Sequence, residues 1–571
     1  MAIQTVAYAG VLAAADHAAA VLSLAGLSVV LLAILVYGPL WVSPLACVPG
    51  PKLFALSRWR LALEDYRGSR TRCIRALHLS YGSAVRIGPA EVSFASLAAL
   101  RAIYGAGSGF ERTTFYRMFD VYGRQNLFTF APVRQHAARK KLVAHAYSKT
   151  AVLRQDGAAV PLIARNVRSF LALLEQRVLA GEPDEIFRSL HWFSLDSITG
   201  FLYGTDRHGS TDALRGNEAH RRLLDDILNP ERRRLSWFAV HLRAYTAWLY
   251  SRTGLLDRLI VALGLLPMSR PATYTAIRAH ALASWLGYEA DVGAGRTVLP
   301  DGATDASIMQ RLHHHSQAGA KAGARSSLDG LDIASELADH FLAGIDTTSD
   351  ASMFAIWALS RPEHAHYQAR LQAELAALDY GCGVSEDGQI AALDEHGNPT
   401  ADAADRLPFL DAVLRETLRL YAPLPASEPR VMPTTDVVID GVHIPAGTVV
   451  SMDPYTLHRN PAVFQDPLAF RPERWLGEFG DVSEMRRWFW AFSSGGRMCI
   501  GMHLAIAEMT MLLSAIYRKY STKLHARQEG VSPGITSRFE VFSDSTLSKV
   551  SVSGTSASFV FSSLSLIVTG T

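Results

Sequence analysis

The sequence predicts a mainly α-helical domain with a small antiparallel β part, preceded by one N-terminal transmembrane helix. Three observations predict it. Apolar residues recur at three- and four-residue spacing over long stretches of the body. Strand-like runs are short and bounded by turn signals such as Asp440-Gly441 and Pro445-Ala446-Gly447. An uncharged apolar stretch near the N-terminus is long enough to cross a hydrocarbon core of about 30 Å. Strand and helix do not alternate along the chain, and no internal repeat is evident.

The membrane segment comes first. No charged side chain lies between His17 and Lys52, and residues 18–42 are almost wholly apolar. A cleaved signal would have a shorter apolar core and a small-residue cleavage site. Here the run meets Gly38-Pro39 and then Pro49-Gly50-Pro51. Lys52, Arg58, Arg60, Arg67, Arg70, Arg72 and Arg75 follow it, and no Lys or Arg precedes it. The positive-inside rule therefore puts the N-terminus in the lumen and the body in the cytosol. The expected organisation is a lumenal segment 1–17, a span 18–42, a Pro/Gly hinge 43–52, a catalytic domain 53–547 and a Ser-rich tail 548–571.

In the body, helices are expected over about 152–182, 216–230, 331–360 and 362–379. Strands are expected over 84–87, 91–94, 437–439 and 448–452. Two loops should interrupt the pattern. One runs from His313-His314-His315 to Gly330, where three adjacent histidines cannot share a helix face and argue against a metal site. The other, about 381–405, is acidic and Gly-rich and reads as a solvated insertion.

Composition excludes several classes. The formal net charge is +3, and no basic stripe with interleaved aromatics suggests nucleic-acid binding. The four cysteines, Cys47, Cys73, Cys382 and Cys499, are too dispersed for a disulfide framework or a Cys-x-x-Cys zinc site. With no Asn-x-Ser/Thr acceptor, this suits a body facing a reducing compartment. No Gly-rich dinucleotide fingerprint precedes a suitable helix, so electrons for any redox chemistry must come from a partner.

The chemistry centres on Phe492-Ser493-Ser494-Gly495-Gly496-Arg497-Met498-Cys499-Ile500-Gly501. A thiolate in a tight, water-poor loop is a strong axial ligand for haem iron and favours O–O cleavage. Gly495 and Gly501 let the backbone pass close to a flat macrocycle. Arg497 can bond a haem carboxylate, and Phe492 would shield the sulfur side from water. Upstream, Ala343-Gly344-Ile345-Asp346-Thr347-Thr348 sits inside a long periodic helix. A glycine there costs roughly 1 kcal/mol against alanine, so it asks for a reason. A threonine hydroxyl bonding back one turn can bend the ladder beside a carboxylate.

Phe-x-x-Gly-x-Arg-x-Cys-x-Gly resembles the haem-binding signature of the cytochrome P-450 monooxygenases, and the likeness covers residues 45–547. The resemblance implies the cytochrome P-450 fold and haem b (iron protoporphyrin IX) with Cys499 as the axial iron ligand. It implies that Asp346 and Thr347 relay protons for oxygen activation, a general-acid task. It also implies a structural clamp of Glu416 and Arg419, in Glu416-Thr417-Leu418-Arg419, with Arg474 of Phe470-Arg471-Pro472-Glu473-Arg474-Trp475. Arg430, His136 and Lys140 match positions that reach haem propionates, with Lys140 standing where arginine is commoner. Exposed Arg134, Arg139, Lys141, Arg486 and Arg487 would form a dock for an acidic NADPH-dependent reductase, the external source of electrons.

On the substrate side, Phe110, Phe115, Phe119, Phe128 and Phe130 cluster before the His136 helix, and residues 424–428 follow the clamp. Trp237, Phe238, Trp248 and Tyr250, with Arg232 to Arg234, would meet the membrane surface. Together they predict an apolar small-molecule substrate. The style resembles microsomal fungal secondary-metabolism members anchored in the endoplasmic reticulum membrane. Hydroxylation or epoxidation is the leading expectation. Rearrangement, coupling or dehydration without oxygen insertion is a second reading, and a non-catalytic haem-binding protein, arising from the altered tail, is a third.

Overall fold

The computed structural model describes residues 17, 19–205, 208–225, 232–250, 254–264, 275–296, 306–321, 328–378, 392–525 and 565–570. It bears out the mainly helical expectation. The first helix, α1 (Ala19–Val42), is apolar throughout, and none of its most apolar window is buried against protein. Its second half, Ala33–Val42, is wound as a π-helix and contains Pro39. Proline cannot donate a helical hydrogen bond, so a widened turn accommodates it. Pro39 O instead accepts from Arg86 Nη1 at 2.8 Å. Arg86 N donates to Pro49 O at 2.8 Å. A Cβ on Gly50 (φ +156°) would come within 2.6 Å of Arg86 O. The Pro49-Gly50-Pro51 segment is thus pinned to the first strand.

Seven further helices build the site. They are α2 (Val133–Val143), α3 (Ala159–Ala180), α4 (Ile186–Tyr203), α5 (Ile308–Lys321), α6 (Gly330–Ser360), α7 (Pro408–Leu420) and α8 (Met502–Lys519). The axis is α6, whose 31 residues span about 46 Å at 1.5 Å per residue. It begins in a capping box, with Asp329 accepting from Asp332 N and Asp332 accepting from Asp329 N. Its apolar face buries Leu337, Phe341, Ile345 and Phe354 against Phe193 and Ile198 of α4, Phe170 of α3 and Leu512 and Ile516 of α8. That burial, at about 25 cal/mol per Å², is the main reason these segments stay helical.

Gly344 now has its reason. A Cβ there would lie 2.5 Å from Ile198 Cγ1, so the glycine lets α4 approach the α6 backbone.

The β part is mixed rather than purely antiparallel. Strands β1 (Ala84–Gly88), β2 (Glu91–Phe94), β3 (Glu111–Arg112), β4 (Asp184–Glu185), β5 (Arg430–Val431), β6 (Val437–Ile439), β7 (Val442–Ile444), β8 (Val449–Ser451), β9 (Tyr520–Leu524) and β10 (Ser565–Gly570) form three sheets. In the largest, ordered β1-β2-β8-β5-β3, β2 pairs β8 in parallel with Val92 opposite Val450. Asp440 (φ 52°) and Gly441 (φ 75°) turn β6 back onto β7, as the Asp-Gly signal predicts.

Several expectations change. The histidine run is not a loop. It lies within α5, where His313 packs edge-on to Trp285 and Tyr288. Helix 152–182 starts later, at Ala159, after a separate short helix Lys149–Val152. Helix 216–230 is a short α turn, Glu218–Arg221, continuing as 3₁₀ over Arg222–Leu224, and 226–230 lie outside the described residues. The insertion at 381–405 is described only from 392, where a bridge joins Leu393 to Pro399 and a helix spans Ala401–Asp405. Most of the tail 548–571 lies outside the described residues, but β10 inserts between β9 and β4 and pairs antiparallel with both. Its β-branched Ile567-Val568-Thr569 suits that place.

Candidate active site

The cysteine loop is held in place from several sides. Cys499 N donates to Phe492 O at 2.9 Å, and Met498 N to Gly495 O at 3.2 Å. Gly495 has φ +62°, and a Cβ on it would meet Tyr104 O at 2.3 Å. Only glycine fits that contact. Phe492 packs against the main core. From α2, Lys140 Nζ donates to Gly496 O and Met498 O, both at 3.1 Å. Arg497 donates to Phe130 O and Ala131 O, both at 2.7 Å. The Cys499 sulfur is accessible within this frame. Desolvation pushes its thiol up, while the Gly501 N–H and the Lys140 ammonium pull the other way. A metal cation at the sulfur would decide that contest for the thiolate.

Beside this loop, cations converge with few anions among them. Burial, then Arg497, Arg112, Lys140 and Arg430, push His136 down to about 2, so its ring is neutral. Burial, with Arg112 and Arg430, pushes Arg497 down to about 9. Burial, with Arg430, pushes Arg112 down to about 10, and Arg112 Nε is buried with no hydrogen-bond partner among the described residues. Burial also works against charge on Arg430, but Tyr116 and Glu428 outweigh it and its pKa rises. Grouped guanidinium and ammonium groups with an orphaned N–H are the donor set a dianionic ligand needs. The two carboxylates of a haem fit it. Arg112, on β3, is a member that sequence reading missed. Its isolated Glu111-Arg112 context carries no motif.

Across from the thiol loop, Tyr147 connects the two halves of the site. Burial, then the Cys499 charge, raises its phenol, and its OH lies 2.7 Å from His340 Nδ1 on α6. One turn further along α6, Ala343 is exposed although the residues after Thr348 are buried. Thr347 Oγ1 donates to Ala343 O at 2.8 Å, the back-bonding expected from the sequence. Asp346 Oδ1 lies 3.8 Å from His191 Nε2 of α4.

The clamp is fully buried. Arg419 Nε and Nη2 reach the two Glu416 carboxylate oxygens at 2.8 Å each. Arg474 Nε and Arg471 N add bonds to Oε1 at 3.0 and 2.8 Å, and Trp475 Nε1 bonds Oε2 at 3.0 Å. Burial alone would raise the Glu416 carboxyl, yet Arg419 and Arg474 hold it below its ordinary value. Arg419 also donates to His458 O at 2.8 Å. His458 Nε2 accepts from Trp490 N at 2.7 Å and so links the clamp to the segment leading to Cys499. Burial, then the Arg419 and Arg459 charges, push that ring down to about 3, which keeps Nε2 free to accept. His458 was not legible in the sequence, because a lone histidine after a helix has no distinguishing pattern.

Other expected residues fall elsewhere. Arg139 is not part of an exposed basic patch. It is buried in an ion pair with Glu336 of α6. Arg134, Lys141, Arg486 and Arg487 are exposed, with Arg487 paired to Glu484 at 2.6 Å. Phe115, Phe119 and Phe128 do form an edge-to-face cluster with Tyr116. Phe110 belongs to a different core. Glu428 accepts from Arg430 Nη2 at 3.0 Å and Ser493 Oγ at 2.9 Å, so it ties the cysteine loop to β5. Trp237 is not free for a membrane, since its Nε1 donates to Ala62 O at 2.8 Å. Trp248 is exposed. The side chains of Arg232 to Arg234 and Tyr250 lie outside the described residues.

A family model described as Cytochrome P450 matches residues 300–539, which carry α6, the clamp and the cysteine loop. Over 484 residues the chain is 27% identical to cytochrome P450 monooxygenase aflV of Aspergillus parasiticus, covering 84% of this chain and 85% of that protein. Cytochrome P450 monooxygenase stcB of Emericella nidulans is 27% identical over 484 residues, covering 84% and 82%. Cytochrome P450 monooxygenase tazI of Aspergillus terreus is 27% identical over 520 residues, covering 88% and 92%.

Proposed function

This chain belongs to the cytochrome P450 superfamily, as a monooxygenase of the fungal secondary-metabolism type, and from that premise we propose a membrane-anchored enzyme that hydroxylates or epoxidises an apolar small molecule. Cys499, Arg112, His136, Arg430 and Arg497 would hold a haem, which would supply the oxygen-activating chemistry when bound. The observation that carries this reading is the cluster of cations beside the Cys499 thiol, a donor set that would suit the two carboxylates and the iron of a haem.

The protein's own residues do the rest. Lys140 fastens the cysteine loop through two carbonyls, so the sulfur keeps one position. Asp346 and Thr347 hold and pass protons on the α6 side. The Phe115–Phe119–Phe128 cluster excludes water and accepts an apolar surface. Electrons come from a separate NADPH-dependent reductase, steered by Arg134, Lys141, Arg486 and Arg487. The apolar α1, followed by seven basic residues from Lys52 to Arg75, supports anchoring in the endoplasmic reticulum membrane with the domain cytosolic.

The test is expression of the full chain with a fungal reductase, feeding a panel of apolar small molecules under ¹⁸O₂. A product that gains one labelled oxygen is expected. A product with an unchanged oxygen count sinks the monooxygenase reading. Thr347→Ala should divert reducing equivalents to hydrogen peroxide and lower product formation about 100-fold, in the range of a lost acid–base group, with the haem content unchanged.

Asp339 gives the protein a pH-dependent stability. It sits on α6 one turn before Ala343, and desolvation pushes its carboxyl up to about 7 from 3.8, with Glu336 adding to the effect. The stability consequence has a definite sign. Between pH 4 and 7 the unfolded chain has released this proton and the native state keeps it. Stability therefore falls as pH rises through that window and levels off above about 7. Asp339→Asn should remove that slope and gain about 2–4 kcal/mol near neutral pH. Melting temperatures of the two haem-loaded proteins across that window check it.

A further inference from the structure

His191 is a buried imidazole on α4, 1% exposed. Its ring is fixed at one end, with Nδ1 2.7 Å from Phe187 O one turn earlier. A carbonyl can only accept, so Nδ1 carries the hydrogen and Nε2 is the ring nitrogen on the far side. That nitrogen lies 3.8 Å from Asp346 Oδ1. The distance is that of an ion pair rather than a direct hydrogen bond. The same face of α4 touches α6 at a second point. Ile198, seven residues on from His191, is the side chain that a Cβ at Gly344 would strike. Positions seven apart share a helix face. That face of α4 thus meets α6 at Gly344 through Ile198 and at Asp346 through His191.

We propose that His191 is the positioning residue of Asp346, holding its carboxylate by charge on the α4 side so that it stays oriented beside Thr347. With Nδ1–H committed to Phe187 O, neutral Nε2 would present a lone pair to a carboxylate. The pair is attractive when one proton lies between Nε2 and Oδ1. His191 thus fixes the rotamer of Asp346. This role rests on the reading of Asp346 and Thr347 as the proton-handling pair.

The experiment uses the full-length haem-loaded protein, reduced and bound to carbon monoxide, with the infrared C–O stretch as the probe of the polar group nearest the ligand. His191→Phe fills the same space without the charge, and His191→Gln restores an N–H toward Asp346. Asp346→Asn and the double variant His191→Phe/Asp346→Asn complete the set. The expected result is a shifted or split band in His191→Phe that resembles Asp346→Asn, a wild-type band in His191→Gln, and a double variant no different from Asp346→Asn alone. Peroxide released per NADPH consumed should rise several-fold in His191→Phe and fall back in His191→Gln. If Asp346→Asn moves the band and His191→Phe does not, the positioning role of His191 is overturned while the reading of Asp346 stands. If Asp346→Asn changes neither band nor peroxide, the reading of Asp346 falls, and the role of His191 with it. If the Phe and Gln variants are equally impaired, a packing defect replaces the proposal.

Discussion

Cys499→Ala should abolish the thiolate-type carbon monoxide difference band of the reduced protein and all product formation, while the chain still folds. The loss is expected to be complete because no other described residue offers a thiol there: Cys47 is exposed near the hinge, and Cys73 packs beside a different core. The fold should survive because the loop does not depend on the side chain. Its backbone is held by Cys499 N to Phe492 O, by Lys140 to two carbonyls, by Arg497 to two more and by the tight seat of Gly495 against Tyr104. Trimming an accessible thiol to a methyl leaves those contacts alone, so stability should change by less than about 1 kcal/mol. The measurement is the difference spectrum alongside a circular dichroism melt. A variant that keeps the band with unchanged position would remove the sulfur from the iron and, with it, the reading of the site.

How much of this could be read beforehand depends on how local each signal is. The Cys499 loop was legible because its chemistry is compressed into ten consecutive residues, each fixed by backbone geometry or direct contact. Asp440-Gly441 was legible for the same reason, since turn chemistry is local. The long α6 showed through its period, and its Gly344 announced a close contact without saying with what. The partner, Ile198, is some 150 residues away. Arg112 and His458 were not legible. Each acts through contacts made only when distant strands and helices meet, and neither has neighbours that mark it. Arg139 misled for the opposite reason. It sits in a run of basic residues that reads as a charged surface, yet the helix turns it inward to Glu336, whose position on α6 no local pattern reveals. The histidine run misled because three adjacent polar residues look like a loop, while only His313 points to the core. Lys140 shows how a residue can be legible in place and not in detail. Its helix position is as expected, and its ammonium bonds the cysteine loop itself.

The clamp carries the second large effect. Glu416 is the only carboxylate shown between Arg419 and Arg474, and all three side chains have no exposure. Glu416→Ala would leave two guanidinium groups buried without a counter-charge, strand the N–H groups of Arg471 and Trp475, and open a cavity. Breaking a buried pair in this way costs about 3–5 kcal/mol, against a typical total stability of about 5–15 kcal/mol. The damage would not stay local. Arg419 fixes His458 O, and His458 in turn receives Trp490 N, so a loosened Arg419 frees the strand of chain that delivers Cys499. Haem loading should therefore fail before the helices melt. The expected result is protein recovered with less than about a tenth of the wild-type haem per chain and rapid proteolysis after the α7 segment. Arg415→Ala is the matched control. Arg415 is one residue before Glu416 on the same helix, but its pair with Asp411 is partly exposed, at 33% and 43%, and worth less than about 1 kcal/mol. If Glu416→Ala takes up haem as well as Arg415→Ala does, the buried triad is dispensable. The route from clamp to cysteine through His458 would then have to be abandoned.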